Sequence, residues 1–280
     1  SPLSGSQATT AVSAPTATAG TSITDSGFTA NWNSVAGASS YQLDVFPLTY
    51  DSFDNTATLF AVTSGTASYF TGNTAAADGP SSSPYTVNGT HSLGKTNGSV
   101  TVTSSNINTT ALSSPQLSFR LASISLGGAG NGADATDIVT VEVSPDGGNN
   151  YYSTVRVIGF SNAYWSYNGG TGVASTAYDG NTTPVDFQPA GGGTRTTDGY
   201  STVTVTGLPS TASMRVRITL LNNSTGERWV VDNFAITPAP GNVTGYNSLT
   251  VSGTSQSVTG LASNTTYGYV VRAVGASTTS

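Results

Sequence analysis

Val258-Thr-Gly-Leu261-Ala-Ser-Asn-Thr-Thr-Tyr267-Gly-Tyr269-Val-Val271-Arg-Ala273-Val is the stretch on which the reading of this chain turns. Tyr267, Tyr269, Val271 and Ala273 occupy alternate positions, so an extended backbone places all four on one face and sends Val270 and Arg272 to the other. The Gly, Ser and Asn residues ahead of Tyr267 are turn formers, which sets the strand's start. The same two-residue period recurs along the chain: Ser99-Val-Thr-Val-Thr, Gln116-Leu-Ser-Phe-Arg-Leu, Asp137-Ile-Val-Thr-Val-Glu-Val, Tyr151-Tyr-Ser-Thr-Val-Arg-Val-Ile, Ser201-Thr-Val-Thr-Val, Ser213-Met-Arg-Val-Arg-Ile-Thr-Leu and Arg228-Trp-Val-Val-Asp-Asn-Phe-Ala-Ile. No segment carries the 3.6-residue period of an amphipathic helix. The sequence predicts an all-β protein.

Composition narrows the function. The chain has 280 residues, long enough for two cores. Only 8% of them are charged and the formal net charge is -6, so the basic stripe that phosphate backbones require is missing and nucleic acid is not an expected partner. No apolar run reaches the about 18 residues of a membrane span, and the first residues do not resemble a signal peptide, so a mature chain without a transmembrane segment is expected. With no cysteine, disulfides, thiolate nucleophiles and thiolate metal sites all drop out. The surface is built from Ser, Thr, Asn and Gly, and Asn-x-Ser/Thr sequons stand at Asn88, Asn97, Asn108, Asn181, Asn222, Asn223, Asn242 and Asn264. Both features point to a secreted, extracellular or cell-surface protein with candidate glycosylation sites.

The opening stretch resembles the E–F corner and F strand of fibronectin type III domains, where the Leu closes the core and the Tyr makes the tyrosine corner. Ala14-Pro15-Thr-Ala, Phe28-Thr-Ala-Asn-Trp32 and Tyr41-Gln-Leu43-Asp-Val45 are similar to strands A, B and C of that family. The resemblance implies a core and acceptor strand made of Trp32, Tyr41, Leu261, Tyr267, Tyr269 and Val271. Residues 1–46 and 238–280 together come to roughly 90, close to the roughly 100 of one such sandwich. The expected organisation is a donor-like segment at 1–13, a split fibronectin-like domain at 14–46 plus 238–280, and an inserted β-domain at 47–237. Insertion at an exposed connection is tolerated when the inserted ends lie together. Within the insert, the hairpin at Ser144-Pro-Asp-Gly-Gly-Asn-Asn150 and the closing Trp229-Val-Val-Asp232-Asn233-Phe234 resemble the jelly-roll, lectin-like modules of bacterial surface proteins and glycan-active enzymes. No cofactor is expected beyond the structural calcium that this second resemblance implies. Its ligands would be oxygens of Asp54, Asn55 and Asp232, from an early loop and the last strand.

A fibronectin-like domain ends with a strand G paired to strand F, yet the sequence runs only to Gly275-Ala-Ser-Thr-Thr-Ser280 after F. The head reads like a G strand: Ser1, Pro2, Leu3, Gln7, Ala8 and Val12 are its candidate polymerisation residues. Self-filling would require the chain to climb back about one strand length, roughly 20 Å or more, over a few residues that reach at most about 3.6 Å each. Donation to a neighbouring copy, or one period of a tandem array, is the alternative. A donated strand and its groove are different surfaces, so such contacts run head-to-tail and do not close. The leading expectation is therefore a non-enzymatic structural subunit of an extracellular filament or repetitive cell-surface adhesin, with copies of itself as partners. The alternative is a carbohydrate-binding accessory region of a secreted multidomain enzyme.

Catalytic chemistry has little to build on. His91 is the only histidine and sits in a Gly/Asn-rich turn. Glu142, Glu227, Asp137 and Asp232 are the available acids, read as outward strand ends and turns. For glycans, Tyr164, Trp165, Tyr167 and Tyr178 are the candidates, because aromatic faces stack on sugar C–H faces beside hydroxyl-binding Asn and Asp. The competing reading turns Trp165 and Tyr167 inward as core.

Overall fold

The computed structural model describes residues 12–54, 59–74, 83–127, 130–191, 197–238, 241–263 and 265–275. The chain forms two compact units, one of Ser1–Pro47 with Gly241–Ser280 and one of Leu48–Pro240. In chain order the first unit begins with β1 (Ala17–Thr24), β2 (Gly27–Trp32) and β3 (Ala38–Pro47). The larger unit holds β4 (Tyr50–Asp51), β5 (Phe60–Gly65), β6 (Ser68–Phe70), β7 (Ser92–Thr96), β8 (Gly98–Ser104), β9 (Gln116–Ser125) and β10 (Ile138–Ser144). It continues with β11 (Tyr152–Ile158), β12 (Gly172–Ala177), β13 (Val185–Phe187), β14 (Tyr200–Thr206), β15 (Arg215–Asn222) and β16 (Glu227–Thr237). The chain then returns to the smaller unit for β17 (Leu249–Val251), β18 (Ser255–Thr259) and β19 (Tyr267–Gly275). Among the described residues every regular element is a strand, so the chain is all-β, as its alternation predicts.

The smaller unit packs two three-stranded sheets, β1-β2-β18 and β17-β3-β19. Trp32, Tyr41, Leu43, Val45, Val251 and Val258 are buried between them, and Leu261, Tyr267, Tyr269 and Val271 pack half-buried against this core. The alternation of β19 is realised: Val270 and Arg272 are exposed between half-buried neighbours. Two tyrosine hydroxyls cross-link this unit, Tyr267 a loop to its sheet and Tyr269 one sheet to the other. Tyr267 accepts from the Ala262 N–H at 3.0 Å, and Tyr269 accepts from the Asn31 N–H at 3.0 Å while donating to backbone carbonyls. Ser1, Pro2, Leu3, Gln7 and Ala8 lie outside the described residues. Val12 is described, and a Cβ on Gly275 would stand 2.9 Å from its Cγ2.

The larger unit is a sandwich of a six-stranded sheet, β13-β11-β10-β15-β8-β5, and a seven-stranded sheet, β12-β14-β9-β16-β7-β6 with β4 also paired to β16. Val139, Val141, Val143, Val216, Ile218 and Leu220 from the first meet Leu117, Phe119, Leu121, Val203, Val205 and Trp229 from the second in one buried cluster. The β10–β11 hairpin turns where Asp-Gly-Gly supplies positive φ, at Gly147 (76°) and Gly148 (96°). The first and last strands of this unit lie side by side: Tyr50 and Asp51 of β4 face Ala235 and Phe234 of β16, and the Ile236 N–H donates to the Thr49 carbonyl at 2.8 Å. In the smaller unit the flanking segments also meet, since the Val243 N–H donates to the Val45 carbonyl at 2.7 Å.

Candidate functional site

The central strands of the six-stranded sheet turn Val139, Val141, Val143, Val216, Ile218 and Leu220 inward, which leaves the alternate residues of the same strands on its outer face. Because the registers of β5, β8, β15, β10, β11 and β13 align, those residues form rows across the sheet. One row runs Ser64, Thr101, Thr219, Thr140, Arg156 and Asp186. The next runs Thr103, Arg217, Glu142 and Ser153. Hydroxyls pair within this face, Thr101 Oγ1 with Thr219 Oγ1 at 3.0 Å and Thr63 Oγ1 with Thr103 Oγ1 at 2.9 Å. A groove of about 530 Å³ lies over it, lined by Thr63, Ser64, Thr101, Thr103, Glu142, Tyr151, Arg215, Arg217 and Thr219. A second depression of about 320 Å³ adjoins it and shares Thr63, Thr103 and Arg215.

The groove's charged floor is held rigid. Arg217 grips Glu142 bidentately, Nε to Oε2 at 2.6 Å and Nη2 to Oε1 at 2.8 Å. Its guanidinium carbon lies 3.8 Å from the centre of the Tyr151 ring. The hydrogen-bonded carboxylate raises the Arg217 pKa further, so the guanidinium stays charged. Arg215 is fixed through Nε on Asn106 Oδ1 at 2.7 Å. Such a face offers several fixed hydroxyls, a planar fork and an aromatic edge in an open trough, chemistry suited to a polyhydroxylated ligand. Sequence reading missed Tyr151, Arg215 and Arg217 as a group; the only signal was the polar phase of each alternating strand.

The aromatic candidates are placed differently from the glycan expectation. Trp165 has no exposed surface and Tyr167 is 2% exposed. Trp165 meets Trp229 edge-on with centroids 5.5 Å apart, and its Nε1 donates to the Tyr200 carbonyl at 3.2 Å. Neither Trp165 nor Tyr167 presents a face to solvent; the core reading holds for Trp165, whereas Tyr167 is buried in a separate cluster with Tyr85, Ala122, Ile124 and Val230. Tyr164 is half-buried. Tyr178 is half-buried against the main core and edge-on to Tyr152 at 6.1 Å.

The acids also need correction. Read as outward, Asp137 and Asp232 have no exposed surface and Glu227 is 5% exposed; only Glu142 keeps a foot in solvent, in the groove. Asp232 accepts from the N–H groups of Val87, Asn88 at 3.1 Å and Asn233 at 2.6 Å. Burial pushes its pKa up to about 6 against the lowering effect of those donors. Asp54 accepts from Thr90 N–H at 2.6 Å and His91 N–H at 2.7 Å, and these bonds hold its pKa down. In this structure the carboxylates expected to hold calcium are thus engaged by backbone donors; Asn55 lies outside the described residues. His91 pairs with Thr90 Oγ1 through Nδ1 at 2.9 Å. Of the sequon asparagines, Asn88, Asn97, Asn181, Asn223 and Asn242 are exposed, Asn108 is half-buried and Asn264 lies outside the described residues. Asn222 is buried and its amide donates to the Lys95 carbonyl at 2.7 Å. Among the described residues no helix is long and apolar enough to cross a membrane.

No protein family and no curated protein matches the chain. Among solved structures it is similar to TmCBM61 in complex with beta-1,4-galactotriose, at 10% identity and a TM-score of 0.33, over 63% of this chain and 85% of that one. It is similar to an exo-beta-agarase at 11% identity and 0.32, and to PfGH50B at 13% and 0.31, each over 71% of this chain. The chain spans about a quarter of those two proteins, 26% and 25% of their lengths.

Proposed function

We propose that the larger unit is a glycan-binding module that takes a polysaccharide chain along the outer face of its six-stranded sheet. The carrying observation is the register-aligned row of Thr101, Thr219 and Thr140 beside the locked Arg217–Glu142 pair. It sets hydroxyl and charged hydrogen-bonding groups at fixed spacing on a rigid surface. In this reading the protein binds and does not cleave. Glu142 is the sole acid among the groove's lining residues and is committed to Arg217, whereas glycoside hydrolysis uses two carboxyl groups about 5–9.5 Å apart. Affinity electrophoresis through gels of neutral and uronate-containing polysaccharides tests it. The wild type should be retarded by at least one, and a Thr101→Val/Thr219→Val double variant should bind at least tenfold more weakly with an unchanged unfolding midpoint. No retardation by any polysaccharide, or full retention in the double variant, overturns the proposal.

A second reading, head-to-tail assembly by strand donation into a fibronectin-like smaller unit, is favoured by one observation. Strand β19, Tyr267–Gly275, pairs only with β3 among the described residues and so presents a nine-residue edge. Electron microscopy of the intact chain against one lacking residues 1–12 decides it. Fibres lost on truncation support donation, and monomers from both forms remove it.

A further inference from the structure

At one end of the larger unit the chain crosses between sheets twice, from β9 to β10 and from β15 to β16. The two crossings are stitched together: the Leu126 N–H donates to the Gly226 carbonyl at 2.8 Å, and the Asn223 N–H donates to Asp137 Oδ1 at 2.9 Å. This brings Asp134, Asp137 and Glu227 together, with one carboxylate oxygen of each within 4.8 Å of the others. Asp137 is wholly buried, and Glu227 is 5% exposed. The ion pairs found among the described residues, Arg156–Asp186, Arg217–Glu142 and Arg272–Asp44, leave these three acids without a basic partner.

Glu227 supplies the independent sign. Its Oε2 is shielded from solvent and accepts no hydrogen bond from any N–H or O–H group among the described residues. A buried carboxylate oxygen without a donor is among the most unfavourable arrangements in a protein interior, and it needs either a proton shared with the facing acid or a cation. The other two carboxylates are positioned by backbone donors, Asp137 Oδ2 by the Asp134 N–H at 2.7 Å and Asp134 Oδ1 by the Thr136 N–H at 2.7 Å. Each oxygen so bonded keeps a lone pair for a further contact.

We infer that Asp134, Asp137 and Glu227 form a calcium site that pins the two inter-sheet crossings to one another. All three donors are hard oxygens, which excludes a thiolate or imidazole preference and suits Ca²⁺ or Mg²⁺. Two oxygens on one Ca²⁺, each at about 2.3–2.6 Å, stand at most about 5 Å apart, which the cluster satisfies. Three carboxylates, two from the β9–β10 crossing and one from the start of β16, match the carboxylate-rich, irregular shell of Ca²⁺. Mg²⁺ instead keeps several waters and takes one or two carboxylates.

Isothermal titration of the full chain with CaCl2, after EDTA treatment and desalting, tests the inference. One Ca²⁺ should bind per chain and raise the thermal midpoint. Affinity should fall at least tenfold in Glu227→Gln and in Asp134→Asn, the latter at a half-exposed position where folding is retained if the buried variant misfolds. Absence of calcium binding would show that the acids share protons instead. Calcium affinity unchanged in Asp134→Asn would place any ion elsewhere, and Mg²⁺ binding as tightly as Ca²⁺ would remove the assignment; each of these outcomes overturns it.

Discussion

Asp232 has no exposed surface, and its pKa of about 6 lies above that of the unfolded chain, about 3.9, so the native state holds the proton more tightly over that interval. Its contribution to stability is fully present below about pH 3.9 and is lost as pH rises through about 6, each tenfold difference in proton affinity between the two states being worth about 1.4 kcal/mol. Urea unfolding in EDTA should therefore give a larger unfolding free energy at pH 4.5 than at pH 7.5. Asp232→Asn should lower stability overall while flattening that slope, and an equal slope in both proteins would contradict the assignment. Trp165 gives a second residue-scale test. It fills the core against Trp229, and a Cβ on Gly199 would stand 2.4 Å from its ring. Trp165→Ala should lower stability by about 3–5 kcal/mol in denaturant titrations. Gly199→Ala should also destabilise, by forcing the indole to move.

At the scale of elements, the alternation of β10 and β15 made inside and outside legible, and the buried valines and leucines of the larger core follow from it. The groove was not legible, because which threonine on β8 meets which on β15 depends on register, and register is set by packing and turns far apart in sequence. Trp165 and Tyr167 illustrate the opposite failure. Two residues apart, they would share a face in a strand. This segment, however, is not a ladder strand: its β-pairings among the described residues are isolated bridges, Ser123 with Trp165 and Ala133 with Ala163. The two rings enter different clusters, Trp165 the main core and Tyr167 the patch with Tyr85 on the far side of the seven-stranded sheet. The acids Asp137, Glu227 and Asp232 were misjudged because burial of a charged residue leaves no mark on a two-residue period. For the ladder itself, a double-mutant cycle on Glu142→Ala and Arg217→Ala should return a coupling of about 1 kcal/mol that shrinks only modestly in 1 M salt, since the side chains are 17% and 32% exposed.

Across the whole molecule, the two units have separate cores, and the larger one should stand alone. A fragment of residues 48–240 should unfold in a single cooperative transition at a midpoint within a few degrees of its transition in the full chain, measured by circular dichroism. A molten or aggregated fragment would contradict this. The smaller unit has no such independence, since β1 to β3 and β17 to β19 are separated by the whole of the larger one. The side-by-side arrangement of β4 and β16 changes what that separation means. While the inserted sheets are folded, the chain between Val45 and Val243 behaves as a tether of a few residues; once they melt, it becomes a loose loop of roughly 190. Closing the longer loop is less favourable by about 2–3 kcal/mol on the logarithmic dependence of loop entropy. Connectivity thereby favours one folding order: a folded larger unit hands the smaller one a short, closed connection, and heat or denaturant that opens the larger unit withdraws that help.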